Sequence, residues 1–126
     1  MARFFRCEHC GNLVCLVQDA GVPLVCCGQE MTGLAGNTTE ASVEKHLPVL
    51  TVAGDTVHVR VGSAAHPMTA EHLIEWIYLE TAQGGQRKTL TAGSPPEATF
   101  ALCDGDRPIA AYAYCNLHSL WKTELE

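Results

Sequence analysis

No stretch of this 126-residue chain approaches the ~20 apolar residues that a membrane-crossing helix needs, so no spanning segment is expected. Cations are few. The 8 Lys and Arg face 14 Asp and Glu, a net charge of -6, which argues against sequence-independent binding of nucleic acid and leaves room only for a local basic spot. Internal repeats, low-complexity tracts and long amphipathic helices are missing as well, so neither a repeat array nor a helical bundle is expected. The opening stretch, MARFFRCEHC, meets cysteines before any apolar run of secretory length, and the chain is read as cytoplasmic.

What is present fits one domain, or one domain with a small appendage. Hydrophobic residues make up 47% and charged residues 17%, the balance of a globular chain rather than a disordered one. The seven cysteines are clustered: Cys7, Cys10, Cys26 and Cys27 fall in the first 27 residues, with Cys15 among them. In a reducing compartment such clusters bind metal or do redox work more often than they form disulfides. The segment up to about Thr32 carries few large apolar residues and needs a staple to fold alone. GLAGNTTEAS, from Gly33 to Ser42, reads as a linker, and beyond it the pattern turns to β. Two strands flank Ala53-Gly54-Asp55, with Val57, Val59 and Val61 on one face and His58 and Arg60 on the other. Further strands are expected at Leu73 to Thr81, then after a QGGQ turn at Lys88 to Thr91, and at Thr99 to Cys103 and Ile109 to Tyr114. Short strands separated by Gly and Pro turns favour an antiparallel sandwich or barrel.

CEHC places two thiolates on one tight turn, and VCCG supplies two more. Adjacent cysteines point opposite ways along a strand, so Cys26 and Cys27 can share an ion only if the backbone bends, which Gly28 permits. Four sulfurs in a tetrahedron select iron or zinc, and a structural zinc ribbon is the simplest alternative. The paired cysteines favour iron, and here the segment resembles desulforedoxin, a small iron protein. His9 reads as a solvated turn residue; Cys15 and Cys103 read as small hydrophobes in apolar strands.

A second constellation comprises His46 in EKHLPVL, His66 and His72 in HPMTAEH, and Cys115 and His118 in YCNLHSLW, each at a strand edge or in a loop. His58, alternating with valines, is left out as solvent-facing. Four imidazoles and a thiolate are too many for tetrahedral zinc and suit iron with one position open. These motifs, with EHLIEWI and the four-cysteine segment, resemble those of desulfoferrodoxin, the two-iron form of superoxide reductase, over almost the whole chain. The resemblance implies two domains, a desulforedoxin-like unit at 1–36 and an immunoglobulin-like β domain at 37–126. It also implies two iron ions per chain, one held by Cys7, Cys10, Cys26 and Cys27 and the other by His46, His66, His72, Cys115 and His118. Superoxide is the implied substrate and a rubredoxin the implied electron donor; apolar Leu13 and Val14, expected to be exposed on the small unit, suggest a homodimer contact, and the resemblance implies the same assembly. Lys45 would attract the anion and position the water that delivers a proton, while Glu44 resembles the family carboxylate that fills the open position in the oxidised state; by analogy both sit on a mobile loop. Asn116 is expected to orient the Cys115 sulfur through backbone N–H contacts, and Trp121 to pack in the core. Two other classes remain open: a rubredoxin-type electron carrier, and a zinc-binding interaction module without enzymatic activity.

Overall fold

The computed structural model describes residues 2–125. The chain divides into two compact units, one reaching Ala35 and the other beginning at Gly36. In the first, β1 (Phe4–Arg6) pairs antiparallel with β2 (Leu13–Cys15) and β5 (Thr32–Leu34). A second ribbon joins β3 (Val25–Cys26) to β4 (Gln29–Glu30) through Cys27-Gly28. Both turn residues have left-handed backbones, with φ of 54° and 75°. The bend that adjacent cysteines require is therefore shared by Cys27 and Gly28, and the non-glycine half of it carries a conformational cost. Among the described residues of this unit only Phe4 and Cys7 are buried hydrophobics. That is no core, and the fold depends on what its sulfurs hold.

The second unit is a sandwich of two antiparallel sheets preceded by a single helical turn, α1 (Val43–His46). The three-stranded sheet has the order β10 (Glu97–Ala101), β7 (Thr56–Val61), β6 (Pro48–Ala53). The four-stranded sheet has the order β12 (Ser119–Glu124), β11 (Pro108–Cys115), β8 (Ile74–Thr81), β9 (Gly84–Thr89). Alternation drives the packing: Val57, Val59 and Val61 of β7 face Ile77 and Leu79 of β8, Phe100 of β10 and Ala111, Ala113 and Cys115 of β11 across one dry core. The fold class read from the sequence is the observed one, mainly β with a four-cysteine segment at the start.

Several boundaries differ. The turn expected at QGGQ sits earlier, because Gly84 and Gly85 are the first residues of β9, which ends at Thr89 rather than Thr91. Gly85 is there to make room, since a Cβ on it would collide with the Tyr78 phenol across the ladder. Cys15 and Cys103 are exposed rather than packed as small hydrophobes, and Cys103 lies beyond the end of β10. The stretch read as linker includes the end of β5. Its middle is anchored by Asn37, whose side chain donates to the Lys122 carbonyl at 3.0 Å and accepts the Lys122 N–H at 2.8 Å, imitating a peptide unit along β12. β12 itself was not foreseen.

Candidate metal centres

Topology brings the second constellation together. His46 ends α1 just before β6, His66 follows β7, His72 precedes β8, Cys115 ends β11 and His118 lies in the turn to β12. The antiparallel register sets Pro48 beside Val61, and Cys115 beside both Ile74 and Ser119, so all five residues emerge at one end of the sandwich. A register shift between Tyr114 and Cys115 marks a bulge in β8 at Glu75. The extra residue turns Ile74 inward alongside Ile77, and Cys115 keeps its inward place at the end of the Ala111, Ala113 row.

One ligating atom from each of His46, His66, His72 and Cys115 lies within 4.8 Å of all the others. His118 joins through Nδ1, at 3.1 Å from His46 Nε2 and 3.8 Å from Cys115 Sγ. Tautomers follow from the partners. His46 Nδ1 is 2.6 Å from the Ser42 carbonyl and His66 Nδ1 is 2.6 Å from the Pro67 carbonyl. A carbonyl can only accept, so both protons sit on Nδ1, and the two Nε2 lone pairs face each other across 3.2 Å. Two lone pairs cannot hydrogen-bond to one another; a cation between them resolves the contact. His72 Nε2 adds a buried nitrogen with no hydrogen-bond partner. One nitrogen from each of four imidazoles and one sulfur thus converge, and this donor set fits an iron ion.

Burial depresses the basicity of His46, His66 and His72, with neighbouring imidazoles adding to the effect, and His66 falls to about 4. The Lys45 cation is felt at His46 and His72. Burial also raises the Cys115 thiol, opposed by the backbone N–H groups of Leu117 and His118, and a bound cation would release that proton. Cys115, His46 and His66 are buried while His72 and His118 are half-exposed, so the cluster is reached from their side. Glu44 and Lys45 stand exposed beside it on α1 rather than on a loop, the Glu44 carboxyl held below the usual range chiefly by its own backbone N–H.

The sulfur that Asn116 was expected to orient is met instead by the N–H groups of Leu117 and His118. Asn116 uses its side chain to accept the Leu73 N–H at 3.0 Å and donate to the Glu71 carbonyl at 2.9 Å, which fixes the His72 segment against the Cys115 turn. Trp121 does more than fill the core. It stacks on His46 with centroids 4.9 Å apart and 28° between planes, and its Nε1–H donates to the His118 carbonyl at 3.1 Å. Nothing in the sequence distinguishes it from a packing tryptophan, and the Ser42 and Pro67 carbonyls carry no side-chain signal at all.

In the first unit the cysteine sulfurs lie within 4.8 Å of one another, with Cys10 to Cys26 at 3.7 Å and Cys26 to Cys27 at 3.9 Å. A tetrahedron with metal–sulfur bonds of about 2.3 Å has edges near 3.8 Å, so the cage already matches. Backbone N–H groups of Cys10 and His9 draw the Cys7 thiol down to about 6, whereas Cys10 and Cys26 push Cys27 up to about 12. Four thiolates cannot share this space without a cation. The two donor sets fit two iron ions per chain.

Two outcomes follow from this geometry. Trp121→Leu removes both the stack and the hydrogen bond, and should weaken metal retention at the five-residue cluster by about 10- to 100-fold, measured by chelator competition; unaltered retention would reduce Trp121 to packing. The depressed imidazoles bind protons more weakly folded than unfolded, so stability should rise with pH from His66's value of about 4 toward the ordinary histidine value. The β sandwich of the metal-free chain should therefore melt lower at pH 5 than at pH 7, with the gap narrowing in His66→Gln. Equal melting points would mean the rings are not held neutral.

Residues 38–124 match the family model described as desulfoferrodoxin, and residues 2–34 match that of the desulfoferrodoxin N-terminal domain. A desulfoferrodoxin of Syntrophotalea carbinolica is 44% identical over 120 residues, 95% of this chain and 94% of the relative. Among solved structures, the superoxide reductase from Treponema pallidum superposes with a TM-score of 0.83 at 40% identity, covering 98% of this chain and 99% of the other. The 1Fe superoxide reductase from Giardia intestinalis gives 0.56 at 34% identity, covering 66% of this chain and 98% of that one. On the match of both family models and the identity over nearly its full length, the chain belongs to the desulfoferrodoxin family.

Proposed function

We propose that this chain is a superoxide reductase, an oxidoreductase that adds one electron and two protons to superoxide and releases hydrogen peroxide. The observation that carries the reading is the convergence of four imidazoles and one buried thiol at one end of the sandwich, with His72 and His118 half-exposed. Superoxide reductase relatives support the same substrate. We assign His46, His66, His72, Cys115 and His118 as ligands of the reactive iron, and Cys7, Cys10, Cys26 and Cys27 as ligands of the other. Bound iron supplies the electron.

Every other requirement falls to side chains and backbone. The Ser42 and Pro67 carbonyls lock two rings so that their Nε2 atoms face inward. Burial keeps those rings neutral, so the two imidazoles meet a cation without prior proton loss and only the Cys115 thiol has a proton to give up. Cys115 donates as a thiolate from the buried side, its charge balanced by the N–H groups of Leu117 and His118. Lys45, exposed beside the cluster, draws the anion in despite the chain's net charge of -6, because the local field decides the encounter. It would also position the water that delivers a proton to the departing peroxide, and Glu44, exposed next to it on α1, would offer a carboxylate to bound iron.

We assign 1–36 to the four-cysteine domain and 37–126 to the catalytic domain, with the first iron serving as a fold staple that can also relay electrons. A rubredoxin-type donor, a homodimer and a cytoplasmic setting complete the reading. Exposed Val17, Val22 and Val25 offer apolar surface for the dimer, and two thiolate sites suit a reducing compartment.

The reaction is tested by its electron balance. Peroxide should form from superoxide only in proportion to reductant supplied, without evolution of dioxygen; peroxide formed catalytically without a donor would indicate a dismutase instead. Lys45→Ala should slow the reaction by about 10-fold at low salt and flatten its dependence on ionic strength, leaving the iron–thiolate absorption in place. An unchanged rate would remove Lys45 from the mechanism.

A further inference from the structure

We propose that Gly62 is a positioning residue whose missing side chain sets where Glu44 and Lys45 stand against the histidine cluster. The inference rests on the reading of Lys45 as the residue that draws the anion in. Gly62 follows β7, in the loop that leads to His66. A Cβ on it would lie 2.6 Å from the Lys45 carbonyl carbon and 2.8 Å from that of Glu44, with the Glu44 carbonyl oxygen nearer still. All three are backbone atoms of α1, so none can rotate aside, and ordinary contact begins only at 3.4 Å. Gly62 is absent from the glycines with positive φ, so a turn does not require it. Close approach does.

The approach is fastened from both sides. The Glu44 carbonyl accepts the Ala64 N–H at 2.8 Å and the Ser63 hydroxyl at 3.3 Å. Arg60 Nε donates to the Gly62 carbonyl at 3.2 Å, steadying the loop from β7. The same loop returns to the site, where the His66 N–H donates to the Val61 carbonyl at 3.2 Å. A five-residue loop therefore carries one cluster imidazole at its end and clasps the Glu44-Lys45 backbone in its middle. His46 has anchors of its own in the Ser42 carbonyl and the Trp121 stack. A side chain at position 62 would accordingly push the charged dipeptide outward while the ring that follows it stays tethered.

The experiment compares Gly62→Ala, Lys45→Ala and the double variant, each iron-loaded, by the rate of superoxide consumption across ionic strength and by the iron–thiolate absorption. Hydrogen exchange at the Ala64 amide is followed in parallel in redox-silent, zinc-loaded protein. Gly62→Ala should slow the reaction by about 3- to 10-fold and weaken its salt dependence without shifting the absorption, and the double variant should be no slower than Lys45→Ala alone. Ala64 should be protected in the native protein and lose that protection in Gly62→Ala. If Lys45→Ala slows the reaction but Gly62→Ala does not, or if the two losses multiply, the positioning role is overturned while the reading of Lys45 stands. If Lys45→Ala has no effect, the reading of Lys45 fails, and the positioning role fails with it. Rapid exchange of Ala64 in the native protein would overturn the clasp even if Gly62→Ala did not fold.

Discussion

Two nitrogen lone pairs held 3.2 Å apart, each forced inward by a carbonyl behind its ring, are the constraint from which the rest of the second unit can be understood. Left alone, such a contact is repulsive. It persists because the Ser42 and Pro67 carbonyls, the Trp121 stack and the burial of both rings over-determine their positions. A cation between the rings meets both lone pairs at once, and the unpartnered Nε2 of His72 adds to the same pull.

The sandwich supplies the rigidity this needs. Each of the five donors sits within a few residues of a strand end, and those ends are held in register by ladders buried on their inner faces. The bulge at Glu75 seats Ile74 in the core opposite Cys115, so the sulfur is delivered from the dry side. Acceptance of the anion is left to the wetter side, where His72, His118 and Lys45 are found. The four-cysteine unit follows the opposite logic. With only Phe4 and Cys7 as buried hydrophobics among its described residues, its geometry is set by sulfur spacing and by the left-handed pair Cys27-Gly28.

Donor residues were legible in the sequence because histidines and cysteines in recognisable motifs announce their chemistry at single positions. The alternating valines of β7 and the Gly54 turn revealed the sandwich in the same local way. What stayed hidden acts through backbone atoms or through the third dimension. The carbonyls of Ser42 and Pro67 are present in any residue, and Trp121 next to Lys122 looks like one more core aromatic until its stack on His46 is seen. QGGQ misled because glycine serves turns and tight packing alike, and only the Tyr78 phenol above Gly85 separates the two uses. Cys15 misled because a short strand in a small unit leaves one face to solvent, and Cys103 because β10 stops at Ala101, before reaching it.

The side-chain pairing of Asn37 with Lys122 reaches beyond local anchoring. β12 is an outer strand whose unsatisfied peptide groups would otherwise be a template for another molecule. By presenting an amide that counterfeits a neighbouring backbone, Asn37 occupies that template intramolecularly. At the far side of the sheet, β9 is guarded differently, by the adjacent cations Arg87 and Lys88. Each border of the larger sheet thus carries its own feature that discourages edge-to-edge pairing with another chain.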